Sequence, residues 1–375
     1  MMGKSFKHLF LSAFLLSALP AHAEPRGLDV WSKGPISPLA GKASRHALQK
    51  LDMRSGEPIL VLTNAGYVKV NDLDSSVALD AIAEVTGSSP GQGNLLSIHD
   101  ALHQPLYFFY FSPSSGNAFY AEVNPRGIPE GTFLPPGGPE EMNGLFRRTD
   151  FKNIGRAQIF AHPERFEEDL RSGLFGNHGR ALIGIAHLWM QKPPMEILRA
   201  VQFHDHVCPG VLSGYYISRF LATRFALGKG ERYFIVAVPP YCKDDAFQAI
   251  LNLTVGKRAM AAMLLSEEDK ARLAPEARSA AGFFFRYDPI VKKGNGALIG
   301  FDWDRLNRDS GIDPGESFPL RKTLRIVQWM LDSREQYEKY VYFIRQFDLP
   351  PGGHPSDFGR VGINPFKNLG LWNQP

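Results

Sequence analysis

The stretch Phe203-His204-Asp205-His206-Val207-Cys208-Pro209-Gly210 sets two imidazoles and a thiol within five residues, directly ahead of an apolar helical pattern. Val211, Leu212, Tyr215, Tyr216, Phe220, Leu221 and Phe225 carry that pattern, and Gly228 closes it. Pro209 falls at the first helical position, where its missing N–H costs nothing. Cys208 then sits at the cap, where free N–H groups and the positive end of the helix dipole stabilise a thiolate. The helix to Leu227 spans roughly 28 Å at about 1.5 Å per residue. After Gly228-Lys229-Gly230, an extended return from Glu231 to Cys242 covers about 30–40 Å. Cys242, the chain's other cysteine, is therefore predicted to come back beside Cys208.

Imidazole and thiolate together suit zinc and its borderline-soft neighbours. The residues alone leave three states open for the cysteines: ligands of a metal, a Cys208–Cys242 disulfide, or free thiols. His204 and His206 would lie on one side of an extended lead-in and diverge by about 200° on a helix. The extended form is expected here because the segment precedes a helix. Asp205 and Asp244 are the candidates to hold the second nitrogen of a ligating histidine. Asp245 reads as a first-turn helix acid. Tyr241 is either cover for the site or a proton donor. Lys257, with Thr254, marks the end of the second helix, as a favourable C-terminal cation or an anion-binding group. His162, His178 and His187 have no ligand-like spacing and read as structural or surface histidines.

Outward from this stretch, Glu231–Val238 reads as a strand and Asp244 begins a helix carrying Phe247, Ile250 and Leu251. Phe283–Tyr287 and Ala297–Phe301 are strands, joined by Gly294-Asn295-Gly296 as a turn. The first half has a similar order. Lys42–Leu51 is a helix, Pro58–Thr63 a strand, and Val77–Val85 a helix begun at Asp74-Ser75-Ser76 and stopped by Gly87. Strands follow at Leu95–Ile98, Leu106–Phe111 and Ala118–Val123. Asp80-Ala81-Ile82 falls on Asp245-Ala246-Phe247, and the run starting at Phe108 resembles the one starting at Phe283. The fold class is therefore α+β, with tandem α-β-α-β-β-β units and mixed sheets. The first copy has no counterpart of His204, Cys208 or Cys242, so it reads as degenerate. The organisation expected is a first unit over 24–125, a mostly helical connector over 126–194, the site-bearing unit over 195–305, and a tail over 306–375. One long helix, Leu320–Phe347, and a wrapping segment make up that tail.

Residues 1–23 carry a basic start at Lys4 and Lys7, an apolar run from Leu9 to Leu19, and Ala21-His22-Ala23 as a cleavage site. This is the pattern of a secretory signal peptide, too short to span a bilayer. A soluble exported protein is expected, periplasmic in a Gram-negative source. Removing the segment takes two lysines and no acids from a net charge of +4. The balance left, with no basic aromatic stripe, argues against a nucleic-acid partner. There is neither a Cys-x-x-Cys-His haem motif nor a phosphate-binding loop ending in Gly-Lys-Ser/Thr.

His204-x-His206-x-Cys208-Pro209-Gly210 resembles the His-Gly-His-x-Cys-Pro-Gly signature of the FmdE family, named for a component of formylmethanofuran dehydrogenase. Cys242-Lys243-Asp244-Asp245-Ala246-Phe247-Gln248 resembles its Cys-x-x-Asp-Ala-Ile-Gln, and Leu253-Thr254-Val255-Gly256-Lys257 its Cys-Thr-x-Gly-Lys. The three motifs stand in the family's order over about residues 195–303. The resemblance implies the α-β-α-β-β-β fold with a mixed sheet and a zinc site at His204, Cys208 and Cys242, with His204 ranked ahead of His206. This chain has Asp205 where the signature has Gly, Leu253 where it has Cys, and no cysteines for the family's C-terminal zinc ribbon. Methanofuran chemistry belongs to an intracellular complex, so export argues against it here. Three functions follow. One is an exported protein with zinc, or another divalent transition metal, that binds or converts a small molecule, with Lys257 and Tyr241 as catalytic candidates. Another is a non-catalytic metal-handling protein, or an accessory partner of an exported redox enzyme, with His204, His206, Cys208 and Cys242 closing the site. The third is a metal-free thiol enzyme with Cys208 as nucleophile and His204 or His206 as base.

Overall fold

A computed structural model describes residues 34–128, 142, 144–313 and 315–373. Residues 1–23, read from the sequence as a signal peptide, and most of the Pro/Gly-rich connector lie outside the described residues. The first half runs α1 (Ile36–Lys50), β1 (Leu60–Thr63), a small hairpin of β2 (Lys69–Val70) and β3 (Leu73–Asp74), α2 (Val77–Thr86), β4 (Leu95–Ser97), β5 (Tyr107–Phe111), β6 (Asn117–Val123) and β7 (Phe146–Asn153). Helices α3 (Arg156–Ala161), α4 (Pro163–Arg171) and α5 (Gly179–Met190) lead to α6 (Met195–His204) and α7 (Pro209–Arg224). The second half continues with β8 (Arg232–Ala237), α8 (Lys243–Leu251), β9 (Met260–Ala262), α9 (Glu267–Arg272), β10 (Ala280–Asp288) and β11 (Lys293–Phe301). It closes with α10 (Trp303–Ser310), α11 (Pro319–Asp332), β12 (Val341–Asp348) and α12 (Pro365–Asn368).

The α+β class read from the sequence is the one observed, and both sheets are mixed. Their strand orders are β4-β1-β5-β6-β7 and β9-β8-β10-β11-β12, the same topology. In each, one parallel pair (β1 with β4, β8 with β9) is followed by antiparallel pairings out to the far edge. The registers correspond as well. Val61 lies opposite Leu95 and Tyr110, as Ile235 lies opposite Met260 and Phe284.

Three features differ from the sequence reading. Each sheet has a fifth strand, β7 or β12, that the six-element pattern omits. β7 is Phe-Arg-Arg-Thr-Asp-Phe-Lys-Asn, an edge strand with a largely polar surface, which leaves little hydrophobic signal. The single long helix expected over 320–347 is instead α11, which ends at Asp332, a short 3₁₀ segment, and β12. Tyr340, Val341 and Ile344 match helical spacing, yet Val341-Tyr342-Phe343-Ile344 is also β-branched and aromatic. The open edge of β11 recruits it as a strand. The expected turn Gly294-Asn295-Gly296 lies inside β11, and the chain reverses at 289–292. A Cβ on Gly296 would stand 2.2 Å from the Phe347 ring, so glycine is there to let that ring lie across the strand.

The core explains how the halves join. Helices α1 and α2 cover one face of the first sheet, over Val61, Phe108 and Tyr110. Its other face (Leu60, Leu62, Phe109 and Phe111) shares one continuous core with α5, α6, α7 and α11 and with Ile235, Phe284, Ile299 and Phe301 of the second sheet. The far face of the second sheet (Val236, Phe283 and Phe285) is closed by the tail through Phe358, Phe366 and Leu371. The layers are helices, sheet, helices, sheet and strap. The middle helices α6, α7 and α8 carry the candidate site.

Candidate metal centre

Three helix ends meet at the site. His204 is the last residue of α6, and Asp205 follows in the left-handed region with φ 64°. That single turn, and not the extended lead-in read from the sequence, swings His206 back beside His204, with the ring centroids 4.2 Å apart. Cys208 caps α7 as expected. It is extended, its Sγ accepts the Val211 N–H at 3.4 Å, and Pro209 is the first helical residue. Cys242 occupies the corresponding position before α8. Helices α7 and α8 approach closely enough that a Cβ on Gly214 would stand 2.6 Å from the Lys243 carbonyl oxygen and from the Ala246 Cβ. One on Gly210 would stand 2.8 Å from the Cys242 Cβ. Glycines on this face of α7 thus bring the second cysteine to the first.

The ligand atoms of His204, His206, Cys208 and Cys242 all lie within 4.8 Å of one another, the one such group among the described residues. Both cysteines are free thiols. Cys208 Sγ is 3.8 Å from His204 Nε2, and a tetrahedral zinc with bonds of 2.3 and 2.0–2.1 Å separates sulfur from nitrogen by about 3.6 Å. The imidazoles are also oriented for this. His204 Nδ1–H donates to Asp245 Oδ2 at 2.7 Å and His206 Nδ1–H to Asp205 Oδ1 at 2.7 Å, which leaves each Nε2 turned to the cluster. The residues present fit a metal ion. The four are unequally sheltered: the His204 side chain is 11% exposed and that of His206 41%, with Asp205 at 61%.

The protons follow from these contacts. The Cys208 thiol is pushed up because it donates to Cys242 and is buried. That hydrogen bond and a second from His204 hold Cys242 down at about 4. Burial lowers His204, and its hydrogen bonds to Asp245 and Cys242 more than reverse this, raising it to about 9. Without metal, the thiolate therefore falls on Cys242 and the proton on Cys208. The cap position alone favours a thiolate on Cys208, but Cys242 receives two hydrogen bonds and Cys208 gives one away.

The structure places the remaining candidates as follows. Tyr241 is half-buried, with its hydroxyl bonded to Ser213 and Trp303, and burial pushes it up to about 12. It covers the site and is poorly matched to proton donation near neutral pH. Lys257 lies beyond the opposite end of the nine-residue α8, exposed and bonded to Asn252. About 13 Å of helix separates that end from Cys242. Asp244 holds no histidine. It accepts the Tyr241 N–H and pairs with the fully buried Lys243, whose ammonium also reaches the Pro239 carbonyl. His187 is buried with Nε2 on the Ile154 carbonyl, His178 pairs with Asp100, and His162 precedes α4.

Sequence reasoning misses two contributions. Asp245 orients His204, a role that its one-turn offset from Cys242 could have suggested. Nothing local signals that the first half reaches the site. His99 N–H donates to the Gln202 carbonyl at 2.9 Å, and the His99 ring stacks on Phe203 at 5.4 Å, which clamps the two residues ahead of His204.

Residues 203–302 match the model of a family described as FmdE, molybdenum formylmethanofuran dehydrogenase operon. The match spans all three motifs that carry the resemblance. The left-handed backbone at Asp205 accounts for glycine at this position in the signature, since glycine adopts that region freely and aspartate tolerates it. No curated protein matches the chain.

Proposed function

We propose that this is an exported protein that binds one transition-metal ion, zinc or a divalent neighbour. Its ligands are His204, Cys208 and Cys242, with His206 as a displaceable fourth donor. A small molecule binds or is converted at the position His206 can vacate. The observation that carries this is the gradient of exposure across four converging donors, from sheltered His204 to His206 at the rim. Three protein ligands with one exchangeable position are the arrangement of catalytic metal sites, where the metal supplies a Lewis acid. In this chain Asp245 fixes the His204 tautomer, Tyr241 shields one side from water, and binding the metal displaces the proton shared by Cys208 and Cys242. Export rests on the pattern of residues 1–23, and a periplasmic location follows from it for a Gram-negative source. The common topology of the two sheets supports an internal duplication in which the first copy lost its site and became scaffold. A closed four-donor centre for metal handling is the second reading, favoured by the compactness of the cluster.

Metal content of the purified mature protein tests the site, with wild type compared against Cys208→Ser and Cys242→Ser. About one metal per chain, lost in both variants, is expected. Metal-free protein with both thiols oxidised would replace the reading by a structural disulfide. Cobalt substitution then separates the two site types. A visible spectrum that shifts on adding a small thiol marks an exchangeable position, and an unchanged one marks a closed centre.

A further inference from the structure

The end of the second sheet remote from the cysteines carries a feature that the metal site does not use. Register places the start of β8 beside the end of β10 (Arg232 opposite Tyr287), the end of β10 beside the start of β11 (Asp288 opposite Lys293), and the end of β12 beside them (Asn295 opposite Asp348). Because β9 runs parallel to β8, the segment leading into it reaches the same end. Three loops therefore gather there: 225–231, 252–259 and 289–292.

Their tips are aliphatic and exposed: Ile290 at 86%, Val255 at 65%, Val291 at 59% and Leu227 at 42%. Around them stand Lys229, Arg232, Lys257, Arg258, Lys292 and Lys293, all exposed. Lys257 is bonded to Asn252. Among the described residues, the other five side chains have no ion pair or hydrogen bond. The acids of these segments are turned to other work. Glu231 accepts the Gly228 N–H and lies 4.0 Å from Arg286, and Asp348 accepts from Asn295. Asp288 accepts the N–H groups of both Ile290 and Val291, at 2.8 and 3.2 Å. That last contact matters most. Two backbone donors at the most exposed apolar turn are satisfied from within, which lowers the cost of taking its tip out of water.

We propose that this end of the molecule docks peripherally on an anionic lipid surface, with Ile290 and Val291 entering the headgroup boundary and the surrounding lysines and arginines meeting lipid phosphates. Aliphatic tips ringed by unpaired cations match the requirements of an interfacial anchor, where buried apolar area and attraction to anionic lipid add. A polyanion such as nucleic acid would engage the cations and leave the aliphatic tips unused. A protein interface would be expected to present aromatic anchors, and no exposed aromatic lies on these loops. The six residues of β8 hold the His/Cys cluster about 20 Å from this end. The docked protein thus keeps its candidate metal centre turned to solution. This surface is independent of whether the centre binds metal.

Flotation of the full-length mature protein with vesicles tests the assignment. Vesicles of phosphatidylcholine with phosphatidylglycerol at about three to one are compared with pure phosphatidylcholine, at low and at physiological salt. Binding to the anionic vesicles alone, weakened by salt, is expected. The double variant Ile290→Ser/Val291→Ser should abolish it. Lys292→Gln/Lys293→Gln should weaken it by about 25-fold, at roughly fivefold per cation. These positions are exposed at a turn, and melting temperatures unchanged from wild type establish that both variants fold. Equal binding to neutral vesicles, no binding to either, or anionic binding indifferent to both variants would overturn the proposal. Retention on heparin without flotation on vesicles would also overturn it, and would reassign the face to a polyanionic partner.

Discussion

At the scale of single residues, the site turns on one carboxylate that is not itself among the four candidate ligands. Asp245 holds His204 by its Nδ1, and such orienting contacts are worth 10–100-fold in metal affinity. Asp245→Asn should therefore weaken metal binding by about that factor, read by competition with a chromophoric chelator, while the fold persists. If Asp245 were only the first-turn helix acid that its position suggests, affinity would stay constant and stability alone would slip slightly. His204, His206, Cys208 and Cys242 were all legible as ligand types from the sequence. Which nitrogen faces the cluster was not, because that depends on partners 41 residues away for His204 and on a left-handed turn for His206.

Among elements, the close packing of α7 on α8 decides whether the two cysteines meet. Gly214 is the contact point, and Gly214→Ala must push the Lys243 backbone away or strain α7. Overpacking of this kind costs about 1–3 kcal/mol. The expected result is a melting temperature lowered by several degrees together with weaker metal binding. Gly256→Ala serves as control, since nothing lies within 4 Å of its added Cβ. Reduced stability with undiminished metal affinity would mean that the helix pair does not set the site. The sequence announced α7 and α8 by their caps and apolar spacing. The edge strand β7 escaped because its solvated face leaves little hydrophobic periodicity, and β12 was read as helix because its apolar spacing fits both and the neighbour it pairs with decides.

For the molecule as a whole, the inner faces of the two sheets share one core. Leu60, Leu62, Phe109 and Phe111 of the first pack into the same cluster as Ile235, Phe284 and Ile299 of the second. Residues 33–375 should accordingly unfold in one calorimetric transition, and a segment beginning at Met195 should lack a cooperative transition of its own. Two resolved transitions, or an independently folded second half, would contradict the shared core. The first half then contributes to the site directly, since it shields α6 and clamps Gln202 and Phe203 ahead of the candidate ligand His204.

The sequence by itself determined the α+β class, the repeated order of elements, the starts of α2, α7 and α8, and the four metal-ligand candidates. Each rests on local physics: alternating or helical apolar spacing, a proline at the first helical position, a cysteine at a cap. Tertiary structure alone decided that the expected tail helix gives way to a strand after Asp332, that the thiol held down is that of Cys242, that Lys257 stands away from the site, and that His206 sits at its rim. Those outcomes depend on pairing and burial between residues distant in the chain, and local spacing does not encode such contacts.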